Sequence, residues 1–326
     1  MRFQFYSESL DNVPKLSVDG TVENSIHFSH WQGNTTPAEV KADTSTEIAL
    51  KLVASPNRAA LTNNIDLVVN NHFDTDGVLS VWTVLNGERA LQYRDLLVSA
   101  AEAGDFSEHT SDDGVKVSIA IQGADQAMPN NIPGSPLAGS IAGELFDDDE
   151  RAYELVLPEV ERLLSNVNAY EALWRDGWTA VAEALDSFAS GDSQVVENEA
   201  SRISLITLKS GLSSPFAAIS KHARGEMFLI ATPASEGWFY RLDYPYYSWA
   251  ETVVRPRIPR RDLTNALATL NDKEVNRDGR WKTDNREMTS AVKFLNSDGT
   301  FAVSRLDPDD VLAVLSTQHK VQSTTF

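Results

Sequence analysis

His72, Asp74 and Asp76 place an imidazole and two carboxylates within five residues, between an apolar run at 65–69 and an apolar helical run at 78–85. Two aspartates two positions apart in a turning loop can aim at one point, and their repulsion forces a proton onto one of them unless a cation intervenes. A divalent ion removes that conflict. A mixed imidazole and carboxylate set suits manganese, iron, cobalt or zinc better than calcium. An EF-hand reading fails on spacing. Counting from His72 puts Thr83 where a bidentate glutamate is needed, and counting from Asp74 puts the glycine at the wrong position. Two plainer readings stay open. One is a solvated turn, in which Asp and Gly are common. The other is an aspartate capping the next helix, with a satisfied histidine nearby. Gly77 is expected to allow a sharp backbone turn into that helix.

The elements around this loop decide what else can reach it. A strand over 24–31 alternates Ile26 and Phe28 and delivers His30 at its carboxyl end. Thr36-Pro37 reads as a helix start, and Thr44 with Glu47 matches a capping box for the apolar run 48–53. A strand over 65–70 leads to His72, and a helix over 78–86 follows. The stretch "RALQYRDLLVSAAEAG" predicts a longer helix closing at Gly104, with Asp105 directly beyond. An acid at a helix C-terminus opposes the dipole, so Asp105 has no local reason to be there. Alternating strands and helices predict a parallel sheet with helices on its faces, whose ligands gather beyond the strand carboxyl ends. At that edge His30 and His72, with Asp43, Asp74, Asp76 and Asp105, are enough for a dinuclear centre. His72 and Asp76 are the candidates for the catalytic step.

Composition narrows the alternatives. The 326 residues include 47 acids against 28 bases, a formal charge of −19, which disfavours binding to duplex nucleic acid. Cysteine is absent, which removes disulfides, thiolate zinc sites and a cysteine nucleophile, and fits a reducing cytosol. The N-terminal residues have no signal-peptide pattern and no apolar run is long enough to span a bilayer, so a cytoplasmic protein without a membrane partner is expected. There is no G-x-S-x-G elbow, phosphate-binding P-loop or G-x-G-x-x-G string.

From about residue 193 the pattern turns to strands, with helices near 260–271 and 308–316, which predicts a smaller α+β domain with a mostly antiparallel sheet. The expected division is an α/β metal-binding domain at 1–192 and a substrate-binding domain at 193–326. Against the acidic background, Arg241, Arg255, Arg257, Arg260 and Arg261 form a basic cluster. Guanidinium forks suit phosphate or carboxylate, and Arg255 and Arg257 share a face if their segment is extended. Interleaved aromatics, Tyr240 to Trp249, either stack a base or pack on the sheet. Lys293, Arg305 and His222 are secondary candidates for the same role. The expected partner is a small phosphorylated or anionic substrate.

The stretch "VVNNHFDTDGVLSVW" is similar to the first motif of DHH-type phosphoesterases. That resemblance implies two domains, a dinuclear manganese site on the larger, and basic substrate residues on the smaller. It carries over to His72, Asp74 and Asp76, with Asp105 as the single aspartate from a later segment. The sequence departs from the pattern by lacking an Asp-His-His triplet and by leaving one residue, not three, between His72 and Asp74. The chain also resembles an uncharacterised bacterial family sharing "SHW", "NNHFD-x-DG", "AGDF" and an aromatic "Y-SW" segment. Membership implies a DHH-like core in which His30 and Asp43 replace the triplet. The expected activity is metal-dependent hydrolysis of a phosphoester or phosphoanhydride, with manganese, or else iron, zinc or cobalt. The competing readings are amide hydrolysis, iron-dependent oxidation, and a small-molecule-binding protein without catalysis.

Overall fold

In the computed structural model, the described residues are 1–124, 134–144, 148–212, 214–283 and 289–317. They form two compact units. The first comprises Met1–Val181, Pro215–Ala217 and Trp249–Arg257, and the second Ala182–Ser214, Ala218–Ser248 and Ile258–Phe326. The first unit thus takes in two segments that lie beyond the 192/193 division expected from sequence.

Four short strands organise the first unit: β1 (Arg2–Phe3), β2 (Leu16–Val18), β3 (Ile26–Phe28) and β4 (Leu67–Val69). They form a parallel sheet in the order β1-β4-β2-β3. Leu16, Val18, Phe28, Leu67, Val68 and Val69 are all buried, as expected where helices cover a parallel sheet. The covering helices include α1 (Ser45–Ala54), the single turn α2 (Arg58–Leu61), α3 (Thr75–Asn86), α4 (Arg94–Phe106) and α5 (Asp112–Gln122). α1 packs on α3, and α4 on α5. The predicted α/β architecture is what forms, with two strands added, β1 and β2. β2 lies between the two strands read from sequence, because three residues flanked by Pro14-Lys15 and Asp19-Gly20 are too short to show a period.

Local chemistry sets the helix ends. Thr44 Oγ1 accepts a hydrogen bond from the Glu47 amide at 3.2 Å, so α1 starts where the capping box places it. α3 starts three residues before its apolar run, because Asp74 Oδ1 accepts from the Gly77 amide at 2.7 Å. Gly77 is therefore helical, and the sharp glycine turn expected there does not form. What it supplies is room: a Cβ would lie 2.6 Å from the Asn70 amide nitrogen and 2.7 Å from the Tyr153 hydroxyl.

Lys15 is fully buried without a carboxylate partner among its hydrogen bonds. Its ammonium donates to the carbonyls of Leu10 and Asp11 at 3.0 Å and lies within 3.4 Å of those of Val13 and Asn24. It thereby ties the turn before β2 to the loop before β3. Lys15→Met keeps the stem but leaves these acceptors unsatisfied. The expected cost is about 2–3 kcal/mol, read as a lower denaturant midpoint at unchanged m.

The second unit is a six-stranded sheet. Its strands are β5 (Gln194–Asn198), β6 (Ile203–Thr207), β7 (Met227–Ala234), β8 (Gly237–Asp243), β9 (Gly279–Thr283) and β10 (Ser290–Asn296). The order is β5-β6-β7-β8-β10-β9, antiparallel except for the parallel pair β6 and β7. Helices Thr264–Lys273 and Pro308–Ser316 cover a core that includes Tyr240, Trp281, Phe294 and Val311. Among the described residues no helix is long and apolar enough to cross a membrane.

Candidate metal centre

Because β3, β2 and β4 are parallel neighbours, their carboxyl ends release the chain at one edge of the sheet. β3 leads to His30, β2 to Asp19, and β4 to the loop carrying His72 and Asp74. With β2 in the middle, Asp19 lies between the two histidines. It has φ +55°, a left-handed conformation that a short polar side chain tolerates.

Two ligand groups share this aspartate. Asp19, His30, Asp76 and Asp105 form one, and Asp19, His72 and Asp74 the other; within each, the potential ligand atoms lie within 4.8 Å of one another. In the first group His30 Nε2 is 3.0 Å from Asp105 Oδ2, 3.6 Å from Asp19 Oδ1 and 3.7 Å from Asp76 Oδ2. In the second, His72 Nε2 is 3.1 Å from both Asp19 Oδ2 and Asp74 Oδ2. Asp19 therefore turns one oxygen to each group. The cluster could hold a metal ion.

Each imidazole is oriented through its other nitrogen. His30 Nδ1 lies 2.7 Å from the Asp43 carbonyl, which can only accept, so Nδ1 carries a hydrogen and Nε2 is the nitrogen left to meet the carboxylates or an ion. His72 Nδ1 faces the Asn71 side-chain oxygen at 3.1 Å, with the same result. His30 Nε2 is buried and faces three carboxylates, the Asp105 oxygen within ion-pair distance at 3.0 Å. A buried nitrogen aimed at three carboxylates, with its tautomer fixed from behind, is what a metal ligand requires.

The carboxylates are held as firmly. Asp76 reaches the N-terminus of α1, where its two oxygens accept from the amides of Ser45 and Thr46, each at 2.7 Å. Asp19 Oδ1 accepts from the Ser45 hydroxyl at 2.7 Å. Asp74 caps α3 with Oδ1 and faces His72 with Oδ2, so the capping and ligand readings of its sequence are met by different oxygens. Asp105 sits in the last turn of α4. A Cβ on Gly104 would come 2.7 Å from the Thr75 Cβ, so only glycine lets this turn lie against the start of α3. Phe106 and the edge of Trp249 flank His30, and Trp31 flanks His72.

Electrostatically the cluster demands a cation. Burial alone would lower the pKa of His30, but Asp105, then Asp76 and Asp19, raise it to about 10. Burial likewise acts against His72, while Asp74 and Asp19 raise it to about 12. Burial and the charge of Asp19 push Asp76 up to about 7. Burial, with the charge of Asp74, raises Asp105 well above the carboxylate range. Only Asp19 falls: burial works against ionisation, but His72, His30 and Ser45 outweigh it. Without a metal, protons supply the missing positive charge.

Five of the six ligands read from sequence, His30, His72, Asp74, Asp76 and Asp105, meet here. Asp43 is the exception. Its carboxylate accepts from the amides of Val253, Val254 and Arg255 and from the Arg255 guanidinium, and it contributes to His30 only through its carbonyl. Burial works against its ionisation, and these donors hold its pKa below the usual range. Asp19 was not legible as a ligand; the signal was the string Leu16-Ser17-Val18-Asp19-Gly20, a short strand ending in Asp-Gly.

The expected substrate residues divide between the two units. In the first unit Arg255 pairs with Asp43, Glu102 and Glu108, and Arg257 is exposed. In the second, Arg241 pairs with Asp243 and Arg305 with Glu236. Lys293 lies 6.0 Å from the Phe301 ring, and His222 stacks on Phe188.

A comparison with curated proteins gives no match. Among solved structures, the chain is similar to a pGpG-specific phosphodiesterase, PggH from Vibrio cholerae. The identity is 10%, with 93% of this chain and 82% of that chain covered at a TM-score of 0.34. A likeness that slight carries no argument about chemistry. A family model is matched over residues 1–315, nearly the whole chain, and the protein belongs to that family, the family of unknown function DUF6687.

Proposed function

We propose that the protein is a metal-dependent hydrolase acting on a phosphoester or phosphoanhydride bond of a small anionic substrate. The observation that carries this reading is the buried His30 Nε2 facing Asp19, Asp76 and Asp105 within 3.7 Å, with Asp19 shared by a second group. Two adjoining ligand groups joined by a carboxylate are the arrangement two-metal phosphoryl-transfer sites use. His30, Asp76 and Asp105 would hold one ion, His72 and Asp74 the other, and Asp19 both. Manganese is the ion favoured by the similarity of residues 68–82 to the DHH-type motif, with iron, zinc and cobalt as alternatives. When bound, such ions lower the pKa of water and stabilise charge on phosphoryl oxygens. The protein's own part is positioning. The amides of Ser45 and Thr46 fix Asp76, the Asp43 carbonyl fixes His30, and Phe106 and Trp249 keep water from the His30 side.

The test starts with metal content. Purified wild type should contain manganese, iron or zinc, and Asp74→Ala and Asp76→Ala should lose it. Asp76→Asn serves as the control for the lost helix contacts. Near-zero metal in every sample, before and after loading, would end the hydrolase reading. Phosphate release from a panel of nucleotides and polyphosphates then tests the substrate class, and a loaded protein inactive on the whole panel would reject it.

A further inference from the structure

The Arg255 guanidinium meets three protein carboxylates of the first unit. Nη1 donates to Asp43 Oδ2 at 2.8 Å, Nη2 to Glu102 Oε1 at 2.7 Å and to Glu108 Oε2 at 2.5 Å, and Nε to Glu108 Oε1 at 3.0 Å. Its guanidinium lies 4.9 Å from the Phe106 ring. Glu102 and Glu108 bracket Asp105 at the end of α4, and Asp43 is the residue whose carbonyl holds His30 Nδ1. One side chain thus joins the supports of two ligands that arrive from different elements.

The rest of the segment 249–257 acts in the same direction. The Glu251 amide donates to the His30 carbonyl at 2.8 Å, and the Glu251 carboxylate accepts from the Gly33 amide and the Asn34 side chain, each at 2.9 Å. The Gln32 side chain donates to the Trp249 carbonyl at 2.7 Å. Trp249 meets His30 edge-on at 5.0 Å between ring centroids. Three successive amides, from Val253 to Arg255, converge on the Asp43 carboxylate. A segment distant in sequence is bonded along its length to the loops behind His30 and contributes no ligand itself.

We infer that Arg255 is a positioning residue: through Asp43 it fixes His30, and through Glu102 and Glu108 it fixes the turn carrying Asp105, so that it sets metal affinity without touching substrate. This rests on the metal-centre reading. It differs from the expectation that Arg255 binds a substrate phosphate, because the fork is already committed to three carboxylates.

The experiment compares wild type, Arg255→Met and Arg255→Lys for binding of manganese(II) and zinc(II) alone. It also follows the His30 ring signals in histidine-labelled NMR spectra, assigned with His30→Gln. Arg255→Met should bind metal about 10–100-fold more weakly, the range for losing a group that orients a ligand. It should also shift the His30 signals. Arg255→Lys should recover part of both, since one ammonium replaces one arm of the fork. The metal-loaded variants should bind inorganic phosphate as wild type does. Unchanged metal affinity and unchanged His30 signals, with phosphate binding alone reduced, would overturn the proposal in favour of a substrate arginine. If wild type binds neither metal, the hydrolase reading falls, and the His30 signals alone decide the positioning role. If Arg255→Met does not fold, the double substitution Glu102→Gln and Glu108→Gln releases the α4 side while sparing Asp43. It must weaken metal binding for the proposal to stand.

Discussion

Asp19→Asn should abolish metal binding by both ligand groups, where any other single ligand substitution spares one. Among the described residues the side chain is the only one common to the two, with Oδ1 toward His30 and Oδ2 toward His72. Asparagine is the informative replacement. It keeps an oxygen for the Ser45 hydroxyl and tolerates the left-handed backbone at this position, so folding should be preserved. What it removes is a charge and one of the two anionic oxygens. A change behind a ligand costs metal affinity about 10–100-fold, so loss of a shared ligand should cost on the order of 100-fold or more at each group. In calorimetric titration with manganese(II) or zinc(II), Asp105→Asn should retain the His72 group and Asp74→Asn the His30 group, while Asp19→Asn retains neither. On the proposed reading, hydrolysis should fall with it. Two undiminished binding events in Asp19→Asn would show that the groups are not joined through this residue.

Metal binding should release protons, and its affinity should rise steeply with pH. With His30 raised to about 10 and His72 to about 12, both rings carry an extra proton at pH 7.5 in the metal-free protein. A metal needs both Nε2 lone pairs. Loading should therefore expel about two protons from the histidines. A pH indicator in weakly buffered solution reads this directly, and loading without proton release would contradict the electrostatics. The same shifts fix the sign of the stability change. The folded pKa values of both histidines exceed the unfolded value of 6.5, so the metal-free folded chain holds protons that the unfolded chain has lost above that pH. Their stabilising contribution is complete below pH 6.5 and is lost as pH rises, for His30 through about 10. The slope is about 1.4 kcal/mol per pH unit for each such proton. Asp76, raised to about 7, adds the same sign between about pH 4 and 7. Metal-free protein should thus melt at lower temperature as pH rises from 6 to 9, and metal should reverse the trend.

The parts of the centre visible in sequence were those with a local signature. His72, Asp74 and Asp76 stand in one short string, His30 ends a strand with alternating apolar positions, and Asp105 opposes a helix dipole. Asp19 lacks such a signature, because β2 is only three residues long and its place between β3 and β4 is a matter of topology. Asp43 was placed in the right neighbourhood, but which of its groups faces the site depends on amides more than two hundred residues later. Arg255 shows the same limit. A guanidinium in a basic string suggests an anionic ligand, and the anions it meets belong to its own chain. The α/β and α+β classes were legible because they follow from repeated patterns over many residues. The return of Trp249–Arg257 to the first unit leaves no trace in periodicity.

That return has a consequence for biosynthesis. All six side chains of the two candidate ligand groups are translated by residue 105, yet the segment bonded to the loops behind His30 emerges only after residue 248. On the ribosome, a nascent chain would carry the whole acidic cluster, unbraced, while residues 106–248 are added. A polypeptide cut short before Trp249 would hold every group of the cluster without the segment bonded to their supports, so the braced cluster would form only once residues 249–257 had been added.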